Sequence, residues 1–221
     1  MKKNPNTNSL ELAMNEMGEK ARIASRGLAA LNSFTKNSIL KAMADAIDKD
    51  ADLIIAENAK DLNTATEKGI PKPMIERLTL DKKRISSMSA GLRAMIELED
   101  PVGKIISSNI RPNGLKIDKV SVPIGVIAII YESRPNVTVD SAGLCIKAGN
   151  AVILRGGSES FNSNRALLHC INRAALEAGL PEGAIQMPAF TEREAVNIML
   201  KMDKYIDLVI PRGGEGLIRA V

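Results

Sequence analysis

Tryptophan is missing from this 221-residue chain, and two tyrosines and three phenylalanines bring the aromatic share to only 2%. Single-stranded nucleic acids are held on aromatic stacking platforms, so the scarcity argues against that class of partner. Histidine occurs once and cysteine twice. Cys145 and Cys170 follow no metal-ligand spacing, so neither a zinc cluster nor a disulfide scaffold can be assembled, and a reducing cytoplasm fits. No window approaches the roughly 18 uncharged apolar residues of a membrane span. The start, MKKNPNTNSLELAMNEMGEK, follows its two lysines with polar residues where an export signal would be apolar. Charge of one sign is scarce as well: 30 basic and 26 acidic residues leave a net +4, spread along the chain. That balance argues against a nucleic-acid surface and leaves a mild attraction for small anions.

What the chain does have is apolar content, 45% of its residues, enough for one large domain or a domain with an appendage. From Asn8 to about Leu98 the spacing is helical. Leu10, Ala13, Met14, Met17, Ala21, Ala24 and Leu28 recur at steps of three and four and form one apolar stripe. Further helices are expected over Thr35 to Asp48, Ala51 to Glu67, Pro73 to Leu78 and Asp81 to Leu98, broken by KGIPKP and EDPVGK. After EDPVGK the period changes. KIISSNIRPNGLKIDKVSVP alternates on both sides of Asn113-Gly114, a pair favoured in type I′ hairpins because both central residues need positive φ. Pro112 and Pro123 limit where its edges can pair. Two uses of the ribbon stay open, an arm for subunit contact and a plain solvent-exposed hairpin.

GVIAII, AVILR, AIQM and YIDLVI are short continuous apolar runs, the mark of strands covered on both faces, and a helical segment follows each. The connecting helices carry apolar faces, Val137, Leu144, Cys145 and Ala148 on one, Leu167, Cys170, Ile171, Ala174 and Ala178 on the next. Thr191 and Glu194 form a capping box for TEREAVNIMLKM. The product is an α/β fold, a mostly parallel doubly wound sheet whose ligands bind beyond the carboxyl ends of its strands. Two of those ends open into near-identical corners, LRGGSES and IPRGGEG. There Arg155, Gly156, Gly157 and Ser158, and Arg212, Gly213 and Gly214, combine flexible backbone, the start of a helix and a guanidinium, a combination suited to phosphate. A turn that uses glycine for conformation alone gives the same pattern, and both readings stay open here. A third corner, YESRPN, ends in Asn136, whose amide can donate into the cleft.

VPIGVIAIIYESRPNVTVDSAGLCIKAGNAVILRGGSES, with GLPEGAIQMP and DLVIPRGGEGLIR, resembles the γ-glutamyl phosphate reductases (glutamate-5-semialdehyde dehydrogenases) of proline biosynthesis. These are a divergent branch of the aldehyde dehydrogenase superfamily, and the likeness runs over essentially the whole chain. The resemblance implies a Rossmann-like NADP-binding sheet over residues 122–221, truncated before the catalytic domain. Residues 1–100 would form its helical part and residues 101–121 a hairpin arm for homo-oligomers. It places Asn136 in the oxyanion hole, Arg155 by the adenosine ribose and Gly213 and Gly214 at the pyrophosphate turn, where relatives often carry a serine absent here. Gly156, Gly157 and Arg212 complete the two cofactor corners. Ser158 stands where NAD-preferring relatives carry glutamate; a carboxylate there repels a 2′-phosphate, so serine beside arginine is compatible with NADPH. Arg134 is a candidate for a substrate carboxylate or phosphate, or for an ordinary ion pair.

The reaction implied is reduction of L-glutamyl 5-phosphate by NADPH to glutamate 5-semialdehyde, phosphate and NADP⁺, through a cysteine thiolate. Association with glutamate 5-kinase is implied as well. The nucleophile is expected beyond Val221, because Cys145 and Cys170 lie on apolar helix faces where a thiol is a small hydrophobe and His169 lies among polar positions. The 221-residue chain is therefore expected to be inactive alone. Two alternatives stay open: a freestanding dinucleotide-binding or oligomerisation module, and a remnant kept only by packing. No metal is expected.

Overall fold

The structure, a computed structural model, describes residues 5–189 and 193–221. The capping box expected at Thr191 and Glu194 involves a residue outside that set. The chain begins with five helices: α1 (Pro5–Ala29), α2 (Ser33–Lys49), α3 (Ala51–Glu67), α4 (Lys72–Leu78) and α5 (Lys82–Ile96). Two of them, α2 and α5, start at side-chain caps. Asn32 accepts a hydrogen bond from Thr35 N at 2.9 Å to open α2, and Asp81 accepts from Arg84 N at 2.7 Å to open α5. An exposed hairpin follows, β1 (Ile105–Ile110) and β2 (Lys116–Val120). The remaining elements alternate: β3 (Val126–Tyr131), α6 (Asn136–Lys147), β4 (Ala151–Arg155), α7 (Phe161–Glu177), β5 (Ile185–Gln186), α8 (Arg193–Met199), β6 (Leu208–Arg212) and α9 (Glu215–Ala220).

β3 to β6 form one parallel sheet in the order β5-β4-β3-β6. The chain thus lays its first strand in the middle, moves outward through β4 and β5, and returns to the other side of the first strand for β6. That is the doubly wound switch. Every side chain of β3 is buried, and alternate residues feed two separate cores. Val126, Ala128 and Ile130, with Ala151 and Ile153 of β4, pack under Leu10, Met14 and Ala21 of α1 and under α8. Ile127, Ile129 and Tyr131, with Val152 and Leu154, pack under α6 and α7, which α2 and α5 cover in turn. The period-2 alternation of strands and the 3.6-residue stripe of α1 meet in these layers.

Three expectations change. The hairpin turn is not type I′, since among the described residues Ser133 is the single non-glycine at positive φ, so Asn113 is not left-handed. Gly114 N instead bonds Arg111 O at 2.9 Å with Pro112 and Asn113 between them, and Gly114 takes φ +85°, a type I turn closed by a glycine bulge. Proline at the first central position, with φ fixed near −65°, selects that turn. β6, one of the two edge strands among the described residues, is not covered on both faces: Leu208 is 38% and Ile210 39% exposed. It also starts later than the run YIDLVI, since Tyr205 N and Ile206 N bond back to Met202 O in a turn. On α6, Leu144 points outward at 52% exposure while Cys145 is buried as expected.

One clamp ties the helical layer to the sheet. Asp61 of α3, 3% exposed, accepts from Asn162 N and Nδ2 and from Ser163 N and Oγ, at 2.6 to 3.2 Å, so its carboxylate caps the start of α7. Asn58, one turn earlier, donates to Leu78 O and Ser163 Oγ and accepts from Leu80 N. Asp61→Ala leaves those α7 donors buried without an acceptor. Urea unfolding is expected to show a loss of about 2–3 kcal/mol, whereas a loss under about 0.5 kcal/mol, the surface-substitution range, contradicts this role.

Candidate functional site

The parallel register decides where the corners lie. Ile130 of β3 pairs with Arg155 on one side and Pro211 on the other, and Tyr131 pairs with Arg212. Arg155 and Arg212 therefore stand at the same carboxyl edge on the two strands that flank β3, and Asn136 opens α6 from the end of β3 itself.

The first corner is fixed by a buried polar chain. Tyr131 Oη and Thr138 Oγ1 share a bond at 2.6 Å, Thr138 Oγ1 donates to Asn164 Oδ1, Asn164 Nδ2 donates to Ser160 Oγ, and Ser160 Oγ donates to Gly157 O. Burial pushes the Tyr131 phenol well above its ordinary range, so it stays protonated. Glycine at 156 is a packing requirement of this chain, because a Cβ there would fall 2.1 Å from Asn164 Nδ2 and 3.1 Å from the Tyr131 ring. Arg155 Nη1 donates to Gly156 O at 3.0 Å. Ser158 opens a short 3₁₀ turn, Ser158–Ser160, and is exposed.

The amides expected to be free have internal carboxylates nearby that the sequence alone does not announce. Asp61 holds the start of α7. Glu159 Oε1 accepts from Ser133 N and Oγ, both at 2.7 Å, and holds Ser133 at φ +45°. Such a left-handed non-glycine costs on the order of 1–3 kcal/mol and persists only where neighbours fix it. At the second corner Glu132 Oε2 accepts from Gly214 N at 3.0 Å, and a Cβ at Gly213 would fall 2.5 Å from the same oxygen. Each carboxylate sits where an anion is favoured, and the signal for them in the sequence is only long-range, 82 positions between Glu132 and Gly214. The residues nonetheless fit a dinucleotide in part: Ser158, Arg212, Gly213 and Gly214 are exposed at the edge, and nothing beyond the Glu132 carboxylate, at 3.9 Å, crowds a Cβ built at Gly214.

At the third corner Asn136 Nδ2 donates to Asp140 Oδ2 at 2.9 Å, one turn on along α6. Burial raises the Asp140 carboxyl above its ordinary value, while Asn136 and the charge of Arg212 work the other way. Arg134 and Asn136 share a cavity of about 460 Å³ with Arg77, Thr79, Leu80, Arg84, Ser87, Met88 and Asp140. Ser158 lies instead in a neighbouring cavity of about 570 Å³ with Glu132, Ser133, Glu159 and Lys68. No group of three or more His, Cys, Asp or Glu able to hold a metal occurs among the described residues, and no described helix is long and apolar enough to cross a membrane.

A parallel sheet wound outward from a central strand, with glycine corners at its carboxyl edge, defines the doubly wound class of α/β proteins, whose ligands bind at that edge. The aldehyde dehydrogenase family model matches residues 8–220, and the chain belongs to that family. Among curated proteins it is 54% identical over 213 residues to a γ-glutamyl phosphate reductase of Moorella thermoacetica, with 96% of this chain and 51% of that protein covered. Among solved structures it matches the γ-glutamyl phosphate reductase of Thermotoga maritima with a TM-score of 0.92 at 41% identity, over 94% of this chain and 50% of that one. The Saccharomyces cerevisiae protein of the same name gives 0.87 at 35%, over 94% and 53%. The chain spans about half the length of the relatives it matches.

Both cysteines are free thiols and buried. Burial pushes both thiols up to about 12, with the nearby Asp50 carboxylate adding to the effect at Cys170. His169 is exposed on α7. A thiol with its pKa near 12 carries almost no thiolate at neutral pH. Native protein at pH 7.5 is expected to give no fast reaction with a disulfide reagent and two equivalents after unfolding in guanidinium; a fast native equivalent contradicts the buried assignment.

Proposed function

We propose that this chain is the cofactor-binding part of a γ-glutamyl phosphate reductase, which reduces L-glutamyl 5-phosphate to L-glutamate 5-semialdehyde with release of phosphate, as a step of proline biosynthesis. The observation that carries the reading is the placement of Arg155 with Ser158 and of Arg212 with Gly214 on the two strands beside β3, at one edge, with Asn136 at the end of β3. The names of the Moorella and Thermotoga relatives support the substrate.

In this reading Arg155 and Ser158 hold the adenosine ribose, and the absence of a carboxylate at 158 admits a 2′-phosphate and so selects NADPH. Gly156 and Gly157 shape that corner, and Arg212, Gly213 and Gly214 receive the pyrophosphate, with Glu132 giving up the Gly214 amide. Bound NADPH supplies a hydride. Asn136 donates its remaining amide hydrogen to the carbonyl oxygen of the substrate, where negative charge grows as a nucleophile attacks, and Asp140 holds the other hydrogen so that the amide cannot turn. The nucleophilic thiol belongs to the catalytic portion of the longer protein. The hairpin β1–β2 is the contact arm of a homo-oligomer: Ile105, Ile106, Ile110 and Leu115 are 55 to 75% exposed on it, an apolar face in want of cover. The protein works in the cytoplasm, with glutamate 5-kinase as the source of its unstable substrate.

Calorimetric titration is expected to show saturable binding of NADPH to this chain, with no reductase turnover. Ser158→Glu is expected to weaken NADPH about tenfold or more and to spare or improve NADH. Equal effects on the two cofactors contradict the ribose assignment, and the absence of any binding contradicts the cofactor reading as a whole.

A further inference from the structure

The cavity beside Asn136 has a composition that the cofactor corners do not explain. Three guanidiniums line it from three different elements: Arg77 near the end of α4, Arg84 in the first turn of α5 and Arg134 in the β3–α6 turn. One carboxylate faces them, Asp140, and it is already bonded to Asn136 Nδ2. The floor is apolar, with Leu80 5% and Met88 3% exposed. The hydroxyls are engaged, since Ser87 Oγ donates to Lys83 O and Thr79 Oγ1 to Ile75 O. Arg84 is anchored by bonds from Nη1 to Glu76 O and Thr79 O, so its position is fixed. The Arg77 and Arg134 side chains have no hydrogen-bonding or ionic partner among the described residues. A concave space with an excess of two positive charges and two unengaged planar forks is matched to a small oxyanion, which each fork can grip with two parallel bonds.

We infer that this cavity is an anion subsite for the substrate, in which Arg77 and Arg134 grip a carboxylate or phosphoryl group while Arg84 supplies fixed charge. The inference rests on the reductase reading for the identity of the molecule, because it takes the acyl carbonyl of the gripped molecule, next to its phosphoryl group and at the far end from its carboxylate, to be the one that faces Asn136. Its content is separate: substrates that carry an anionic group are selected with the help of α4 and α5, elements outside the parallel sheet. An aldehyde or acyl compound lacking that charge leaves the cavity's guanidiniums without a counter-charge and is discriminated against.

The test uses nitrogen-15 spectra of this chain titrated with inorganic phosphate and, separately, with L-glutamate, following the Asn136 side-chain amide and the backbone amides of Ser87 and Met88. Saturable shifts are expected at these positions. Phosphate alone producing them assigns the subsite to the phosphoryl group, and glutamate alone assigns it to the carboxylate. Arg77→Ala and Arg134→Ala are each expected to raise the Kd about tenfold, Arg134→Lys less than Ala, and Arg111→Ala on the hairpin not at all. No saturation by either anion, shifts confined to Ser158 and Gly214, or a response indifferent to both arginine substitutions overturns the inference. NADPH titrated into the same samples keeps the two claims apart. Cofactor binding without an anion response removes the subsite and leaves the reductase reading standing, whereas loss of cofactor binding strikes that reading itself.

Discussion

The structure depends on β3 being buried on both faces and paired in parallel on both edges. Backbone amides can be hidden from water only when they are hydrogen-bonded, so a strand with no exposed side chain must find a partner on each side. Here the partners are β4 and β6, and their register brings Arg155, Arg212 and the start of α6 to one end of the sheet. The entry to that arrangement is pinned by Asp207. It accepts two bonds from the Arg22 guanidinium of α1 and one from Val126 N. Desolvation pushes the Asp207 carboxyl up, but the Arg22 and Val126 bonds outweigh it and hold the group below its ordinary 3.8. A carboxyl depressed in the folded state contributes stability that is present above its unfolded value and fades as pH falls through the folded one, so this pin weakens only in acid.

The carboxyl edge is a place of managed charge. Helix starts and glycine turns attract anions, and in this chain Asp61, Glu132 and Glu159 already stand at such places. Their roles differ. Asp61 is buried and makes four bonds, so it belongs to the framework. Glu132 is exposed and holds Gly214 N by a single hydrogen bond, which a stronger anion can displace at little cost. Among the described residues the guanidiniums of Arg77 and Arg134 have no such internal substitute, and this difference separates the cavity beside Asn136 from the glycine corners.

Much of the fold was legible. The stripe of Leu10, Met14, Ala21, Ala24 and Leu28 is a buried helix face, α3 runs over the expected residues, and GVIAII and AVILR are the two strands covered on both faces. These succeeded because apolar periodicity is a local signal. The hairpin turn failed on a local competition: Asn-Gly alone favours positive φ at both positions, but the preceding Pro112 sets a type I turn first. The cover over β6 failed because an edge strand and a central strand can carry the same apolar run. Asn136, Arg134, Arg155 and Arg212 were visible as residues at strand ends. Asp61, Glu132 and Glu159 were not, since each bonds a residue distant in the chain and a carboxylate in a helix interior or on an exposed turn looks like any solvated charge; Arg77 was not, since the cavity it lines exists only once α4 and α5 pack beside the β3–α6 turn.

That the three corners form one berth is the claim on which the functional account stands. A map of backbone amide shifts on adding NADPH tests it most directly. The account predicts a single contiguous set of changes that includes Ser158 after β4, Gly213 and Gly214 after β6 and the residues around Asn136 after β3. Changes confined to one corner, or scattered over the hairpin and the helical layer instead, would contradict it.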